Sequence, residues 1–337
     1  TSRKCWTLLP SAGRSSPVNE GHAIYRSVPR PAISGKRVSS EFEYAFTHSA
    51  QGMRGPEEFT KERPPGTTMR VLVLGDSFTY GVGVADDEIF VDRLRRALPG
   101  VEFINAGCSG YGQREQLAIL DQLGAALRPD LVIATFFWND LGDNFNKDWP
   151  AFEFDAGRVV RTDLAVPDDF NPLARRTARP IDERQRARNT VYLKRLYRGA
   201  LRGLRYRMFG VRTRFPTTPA ERAAAWDVTR PYLAMMKARA AETGAGFLLV
   251  SIPGQDRIDP EAHIDGIEPL AVNIEKTLTD VTAALGIEYW NLLEPLRAAQ
   301  EVADERRYHC SHRPPTVPRH RSRYHTPATP FADTCQQ

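Results

Sequence analysis

Three polar clusters in the sequence each follow directly after a short apolar run. They are residues 75–79 (GDSFT), 105–110 (NAGCSG) and 138–140 (WND). A serine hydroxyl acts as a nucleophile once a base removes its proton. Glycine lets a backbone N–H approach a substrate closely, and an Asn amide is a further donor, so both can stabilise the oxyanion of acyl transfer. If the fold brings the clusters together, these residue types predict attack by Ser77 on a carbonyl carbon.

Each cluster taken alone also has a simpler interpretation. The first could be a turn with a helix cap, and the third is a common turn sequence. A phosphate-binding loop is excluded because the first cluster lacks the Gly-Lys-Ser/Thr ending. Asp76 and Asp140 are expected to be structural, and Cys108 is expected to be a small buried residue rather than a reactive thiol. The order of all three clusters after successive apolar runs favours the catalytic interpretation.

The elements that must position these clusters alternate along the chain. A continuous apolar run predicts a strand at 71–74, and further apolar-rich segments predict strands at 101–104, 131–137, 246–252 and 287–292. Apolar residues at helical spacing predict the helices between them, at 89–98, 113–127, 220–242 and 269–285. This alternation is typical of an α/β fold, a three-layer α/β/α sandwich around a parallel five-stranded sheet of flavodoxin-like type. In such sheets ligands bind at the carboxyl ends of the strands, which is where the clusters fall.

The three clusters together resemble the motifs of the SGNH (GDSL) hydrolase family. Its first block has the form G-D-S, its second contributes a glycine, and its third is G-x-N-D. The resemblance implies that Ser77 is the nucleophile, with its own N–H, the Gly110 N–H and the Asn139 amide forming the oxyanion hole. Gly110 is preferred to Gly107 because the family's glycine lies five residues after an Asn at the end of strand two. Phe137 departs from the family, whose third block has Gly there.

The general base is not evident in the sequence. The resemblance implies a D-x-x-H element after the fifth strand and before the last helix, but none occurs after Leu292. His309 and His312 follow Asp304 at other spacings, and they are the candidates for the base. His263 follows the fourth strand at the correct edge of the sheet but not in the family's position, so a solvated loop histidine is the favoured interpretation. His22 and His48 lie in the N-terminal arm and are not candidates.

The resemblance implies hydrolysis of carboxylic esters through an acyl-enzyme, without a metal ion or organic cofactor. The expected substrates are acetylated sugars and lipid or small acyl esters. Two alternatives stay open at this point. One is O-acyl transfer to a cell-envelope glycan by the same residues, and the other is an impaired domain that binds acyl or glycan ligands after losing its base.

Charge is unevenly distributed over the 337 residues, although the formal net charge is only +5. Residues 175–214 contain 14 Arg and Lys against two acidic residues, which leaves the main body acidic. A nucleic-acid partner is therefore not expected, because such proteins spread a basic face over the folded domain. The basic segment is predicted either to be a cap that contacts anionic membrane lipid or to be a solvated surface helix.

Composition divides the chain into three parts. Residues 1–69, rich in Pro, Gly, Ser and Arg, are expected to form an extended N-terminal arm that lies over the domain. Residues 70–305 are expected to form the hydrolase domain, with a basic helical insertion at 143–219. Residues 306–337 contain no Leu, Ile or Met, and a disordered or aberrant tail is expected instead of a closing helix. A shifted reading frame in the coding sequence is the hypothesis for this tail.

No leader pattern is expected within these residues, which begin with Thr rather than Met, and no apolar run is long enough to cross a membrane. The resemblance nevertheless implies an exported or envelope-associated protein.

Overall fold

The apolar-rich segments of the sequence form the central sheet of the computed structural model. The structure describes residues 18–22, 26–38, 42–145, 153–155, 158–160, 171–178, 216, 218–258 and 274–310. The strands of these residues are, in chain order, β1 (Asn19–His22), β2 (Arg26–Pro29), β3 (Ser34–Val38), β4 (Glu43–Thr47), β5 (Met69–Leu74), β6 (Val101–Asn105), β7 (Leu131–Phe136), β8 (Glu153–Asp155), β9 (Arg158–Val160), β10 (Gly246–Ser251) and β11 (Glu288–Asn291).

The central sheet confirms the predicted α/β fold with five parallel strands. The strands lie in the order β11-β10-β7-β5-β6, and every neighbouring pair is parallel. The strand order reverses beside β5, so the end of β5 is the position where such sheets bind ligands. The first polar cluster begins there.

Helices cover both faces of the sheet, as the alternating pattern predicts. They are, in chain order, α1 (Ser77–Tyr80), α2 (Phe90–Ala97), α3 (Gln113–Ile119), α4 (Asp140–Phe145), α5 (Pro219–Glu242), α6 (Gln255–Ile258), α7 (Ile274–Leu285) and α8 (Leu293–Cys310). A 3₁₀ turn at Asp86–Glu88 precedes α2, and α3 continues through a π-helical turn at Leu120–Gly124 into Ala125–Leu127.

Alternate residues of β5 point into two separate apolar layers. Leu72 and Leu74 join the large cluster that contains residues of α3 and α5, whereas Val71 and Val73 join the cluster with Val91 of α2. Successive side chains of a strand point to opposite faces, so a strand buried on both faces must be apolar throughout. This explains the unbroken apolar run that identified the strand.

The N-terminal arm, predicted over 1–69, packs closely against the sandwich where it is described. β1 with β2 and β3 with β4 form two antiparallel two-stranded sheets. Met53 and Phe59 are buried in the main apolar core. Gln51 fixes the segment between Met53 and Phe59, because its side chain donates to Phe59 O at 2.6 Å and accepts from Phe59 N at 2.8 Å.

Only parts of the predicted insertion at 143–219 lie among the described residues. β8 and β9 form an antiparallel pair. Residues 171–178 contact the N-terminal arm. Arg175 pairs with Glu58 at 2.5 Å, and Arg176 pairs with Glu20 at 3.4 Å. The basic helix predicted around 192–208 lies outside the described residues.

The expectation that no helix follows the last strand is wrong. Leu292 alone separates the end of β11 from the start of α8. The Asn291 side chain accepts a hydrogen bond from Leu293 N at 2.9 Å. Asn at this position caps a helix by satisfying an N–H group of the first turn. The helix continues to Cys310, so the first residues of the predicted tail are helical. Residues 311–337 lie outside the described residues, and the reading-frame hypothesis stays a prediction.

In the part of the chain that the structure describes, no helix combines the length and the apolar character that a membrane span requires.

Candidate active site

Ser77 is the first residue of α1, directly after the turn that ends β5. Asp76 caps this helix, since its Oδ1 accepts a hydrogen bond from Phe78 N at 2.9 Å. The Ser77 hydroxyl is half-buried and donates to Asp76 Oδ2 at 3.4 Å. The helix has a single turn and ends at Gly81, whose φ of 84° is in the left-handed region. The sharp turn between strand and helix places Ser77 at the carboxyl edge of the sheet.

The second cluster is tied to the first through Asn105, the last residue of β6. Asn105 Nδ2 donates to Thr79 O at 2.8 Å, and its Oδ1 accepts from Gly107 N at 3.0 Å. Cys108 N donates to Gly75 O at 3.1 Å, which adds a main-chain link between the two loops. The Asn that served as a landmark in the sequence therefore holds the loop of Gly107 against α1.

Gly107 and Gly110 have different surroundings. The Gly107 N–H is already bonded to Asn105, and a methyl group at Gly107 would lie 2.6 Å from Tyr80 N. Gly110 has a φ of 83°, and a methyl group there would meet no atom within 4 Å. Gly107 therefore permits close packing beneath α1. The choice of Gly110 as an oxyanion donor stays a prediction.

The third cluster lies beside the first. Asn139 Nδ2 donates to Asp143 Oδ2 at 3.2 Å, and its amide lies close enough to the Asp76 carboxyl to lower the pKa of that group. The structure therefore brings the Asn139 amide to the residue that precedes Ser77. Phe137, which replaces the family's Gly, packs its ring against Phe78 with the centroids 4.0 Å apart.

Two buried carboxyl groups underlie this arrangement. Burial raises the pKa of Asp76 to about 6, although hydrogen bonds from Phe78 N and the Asn139 amide lower it. Burial and the nearby Asp76 carboxyl raise the pKa of Asp140 well above its usual value, while the Gln113 hydrogen bond lowers it. Two carboxylates close together in a buried site disfavour double ionisation. Asp140 therefore keeps its proton to a higher pH than an ordinary aspartic acid.

A polar network fixes the helix that follows Asn139, and sequence reasoning missed three of its members, Gln113, Asn144 and Thr229. Gln113 Nε2 donates to Asp140 Oδ2 at 2.6 Å, and Asn144 Nδ2 donates both to Gln113 Oε1 at 2.6 Å and to Thr229 Oγ1 at 3.0 Å. Gln113 follows the second cluster closely in the sequence, which is a weak signal of its role. Thr229 lies in the middle of α5, and no motif marks it.

The structure does not bring a described histidine side chain to Ser77. His309 lies in α8, where only the backbone is described, and His312 lies outside the described residues. His48 is the one histidine whose side chain is described, and it contacts Arg30 O and the Tyr80 hydroxyl. Burial lowers the pKa of His48 to about 4. Within the described ranges, no three His, Cys, Asp or Glu side chains are grouped so that they could hold a metal ion.

The fold and the clustered motifs define a three-layer α/β/α sandwich with a serine at the carboxyl end of β5, beside the central strand β7. The sequence model of the GDSL-like lipase/acylhydrolase family matches residues 73–269, which is more than half of the chain. The chain belongs to this family.

Several solved structures are similar at low identity. An acetylxylan esterase from Geobacillus stearothermophilus is 12% identical, with a TM-score of 0.35, over 70% of this chain and 81% of that one. A GDSL-like lipase from Bacteroides thetaiotaomicron is 13% identical, with a TM-score of 0.34, over 69% and 73%. AlinE4, an SGNH-hydrolase family esterase, is 16% identical, with a TM-score of 0.36, over 77% and 90%. No curated protein sequence matches the chain.

Proposed function

We propose that this protein is a serine-dependent hydrolase of carboxylic esters and that Ser77 is its nucleophile. The observation that supports the proposal is the meeting of three loops at one sheet edge, where the Asn139 amide lies beside the Asp76 carboxyl and Cys108 N donates to Gly75 O. Membership of a lipase and acylhydrolase family supports ester hydrolysis as the general reaction.

The proposed reaction has two steps. The Ser77 oxygen attacks the ester carbonyl carbon, and the carbonyl oxygen takes the negative charge. The N–H groups of Ser77 and Gly110 and the amide of Asn139 donate to this oxygen. The intermediate collapses by breaking the bond to the alcohol, which leaves with a proton, and a serine ester remains. Water then attacks that ester, releases the acid and returns the proton to Ser77.

The base that takes the Ser77 proton is the second part of the proposal. His309 and His312 remain the sequence-based candidates, because His48 has both ring nitrogens committed elsewhere. The predicted substrates remain acetylated sugars and lipid or small acyl esters. Contact of residues 175–214 with anionic lipid also remains a prediction.

A second candidate function is an acyl- or glycan-binding domain with impaired catalysis. The observation that favours it is the connection from β11 to α8, which consists of Leu292 alone. The family resemblance implies an Asp and a His in this connection, and Leu292 supplies neither. Losing the base of a catalytic triad leaves only a residual rate enhancement, from the oxyanion donors and substrate binding.

Hydrolysis of p-nitrophenyl esters of increasing acyl length tests the proposal. We expect measurable hydrolysis by the unmodified protein and none above background for Ser77→Ala. Ser109→Ala is the matched control, because it removes another hydroxyl from the same edge of the sheet and should retain the activity. Equal activity of Ser77→Ala and the unmodified protein would refute the nucleophile. Saturable ester binding without hydrolysis by any variant would instead support the binding domain.

A further inference from the structure

The hydroxyl of Tyr80 links the helix of Ser77 to the N-terminal arm. Tyr80 is the last residue of α1, and its hydroxyl lies 2.7 Å from His48 Nε2. His48 Nδ1 lies 2.8 Å from Arg30 O. A carbonyl oxygen only accepts, so Nδ1 carries the hydrogen, and Nε2 of the neutral ring accepts from the Tyr80 hydroxyl. The side chains of His48 and Tyr80 are almost fully buried, with exposed fractions of 2% and 1% respectively.

Arg54, also in the arm, holds the chain just beyond this helix. Its guanidinium donates to Gly81 O at 3.3 Å and to Val84 O at 3.0 Å, and it pairs with Asp86 at 2.6 Å. It also lies over the Tyr80 ring, 4.9 Å from the centroid. The planar guanidinium carries five N–H donors, so one buried side chain can fix several acceptors at once.

The loop of Gly110 is also connected to the arm. The Tyr111 hydroxyl donates to Ser27 O at 2.5 Å, and Cys108 Sγ lies 3.9 Å from the same oxygen. Asn139 is positioned differently, since the network of Gln113 holds its helix. The arm therefore contacts two of the three loops that form the candidate site.

We propose that the arm is a positioning element of the active site, in which His48 holds the Ser77 helix through the Tyr80 hydroxyl. A helix of one turn is not stable by itself, because nucleation is costly and few hydrogen bonds repay it. The position of Ser77 therefore depends on contacts from outside α1. A displacement of about 1 Å at a reacting group can reduce a rate about 100-fold.

Two substitutions at His48 separate its two contacts. Gln extends to the position of Nε2, so His48→Gln keeps the contact to the Tyr80 hydroxyl and loses the one to Arg30 O. Asn extends only to the position of Nδ1, so His48→Asn keeps Arg30 O and loses Tyr80. Lys36→Ala is the control, because its exposed ion pair with Glu43 lies in the arm away from α1.

Amide hydrogen exchange is the first readout, and it does not require catalysis. Tyr80 N bonds to Asp76 O, and the N–H groups of Gly81 and Val82 bond to Ser77 O, so their exchange reports the integrity of α1. We expect exchange about 10-fold faster for these amides in His48→Asn, with β5 unchanged. His48→Gln and Lys36→Ala should exchange at the rate of the unmodified protein.

The second readout is the rate at which a fluorophosphonate modifies Ser77, and it rests on the proposed function. We expect His48→Asn to lower the maximal rate of modification about 10- to 100-fold without changing the reagent concentration at half-maximal rate. His48→Gln should restore the rate.

The two readouts separate the two proposals. Unchanged exchange of residues 80–82 in His48→Asn would overturn the positioning role, whatever the modification rate. Equal effects of His48→Asn and His48→Gln would also overturn it. Absence of an adduct at Ser77 in the unmodified protein would overturn the proposed function, and the exchange experiment would still decide the role of the arm.

Discussion

Replacement of Gly107 and Gly110 by alanine should affect the protein very differently, although both glycines lie in the loop after β6. A methyl group at Gly107 would lie 2.6 Å from Tyr80 N and 2.7 Å from Thr79 Cβ. These separations are far below the 3.5–4.0 Å that is optimal for packed heavy atoms. A methyl group at Gly110 would lie in open space.

The magnitudes follow from these surroundings. At Gly107 the overlap includes main-chain atoms of α1, which cannot rotate away. We therefore expect Gly107→Ala to lower the free energy of unfolding by about 3 kcal/mol, at the upper end for overpacking. At Gly110 the cost is the left-handed backbone alone, with a φ of 83°. We expect Gly110→Ala to cost about 1–2 kcal/mol.

Urea denaturation of both variants measures this difference, and the rate of fluorophosphonate modification measures its consequence at Ser77. Gly107→Ala should also slow the modification, because the clash displaces the helix that carries Ser77. An equal loss of stability in both variants would refute the reasoning. A larger loss for Gly110→Ala would refute it as well.

Three further predictions concern Asn139, Asp140 and His48. Asn139→Ala should lower kcat for ester hydrolysis about 10²- to 10³-fold with little change in KM, because its amide would act on the oxyanion of the transition state; a rise in KM alone would contradict this. The pKa of Asp140 is raised in the folded protein, so its carboxyl ionises at a lower pH in the unfolded chain. The protonated Asp140 carboxyl therefore stabilises the fold fully below about pH 3.8, and this contribution is lost as the pH rises. Asp140→Asn should therefore raise the urea midpoint at pH 7, and the gain should disappear below about pH 3.8. The pKa of His48 is lowered from 6.5 to about 4, so between these pH values the unfolded chain binds a proton that the folded protein excludes. The free energy of unfolding should therefore fall by about 3 kcal/mol between pH 6.5 and pH 4. In His48→Gln this part of the pH dependence should be absent, and an identical pH profile would contradict the assignment.

The inner strands of the central sheet could be predicted from the sequence because they are buried on both faces, as β5 is. The run from Val71 to Leu74 needs no knowledge of distant residues, since apolar composition alone identifies such a strand. The strand ends then place Ser77, Gly110 and Asn139 at one edge, which is a property of parallel sheets.

The contacts that hold the candidate site could not be predicted in the same way. His48 bonds to Arg30 and Tyr80, which are 18 and 32 positions away from it in the sequence. No local pattern marks either contact. The sequence predicts only an extended segment for the arm, because the arm has few long apolar runs. Its attachment instead uses buried polar groups such as Arg54, whose partners only the folded chain brings together.

The closing helix was missed for a different reason. α8 carries charged residues along much of its length, and Asn291, whose side chain accepts from Leu293 N in its first turn, is also the last residue of β11. A helix that follows a strand after one residue leaves no loop composition to signal the boundary.

Mapping the adduct of a fluorophosphonate by mass spectrometry tests the central claim most directly. The reagent is applied to the unmodified protein until modification is complete, and Ser77→Ala and Ser109→Ala are treated in parallel. The account predicts a single adduct on the peptide that contains Ser77, its loss in Ser77→Ala and its retention in Ser109→Ala. An adduct at another serine, or undiminished labelling of Ser77→Ala, would contradict the assignment of Ser77 as the nucleophile.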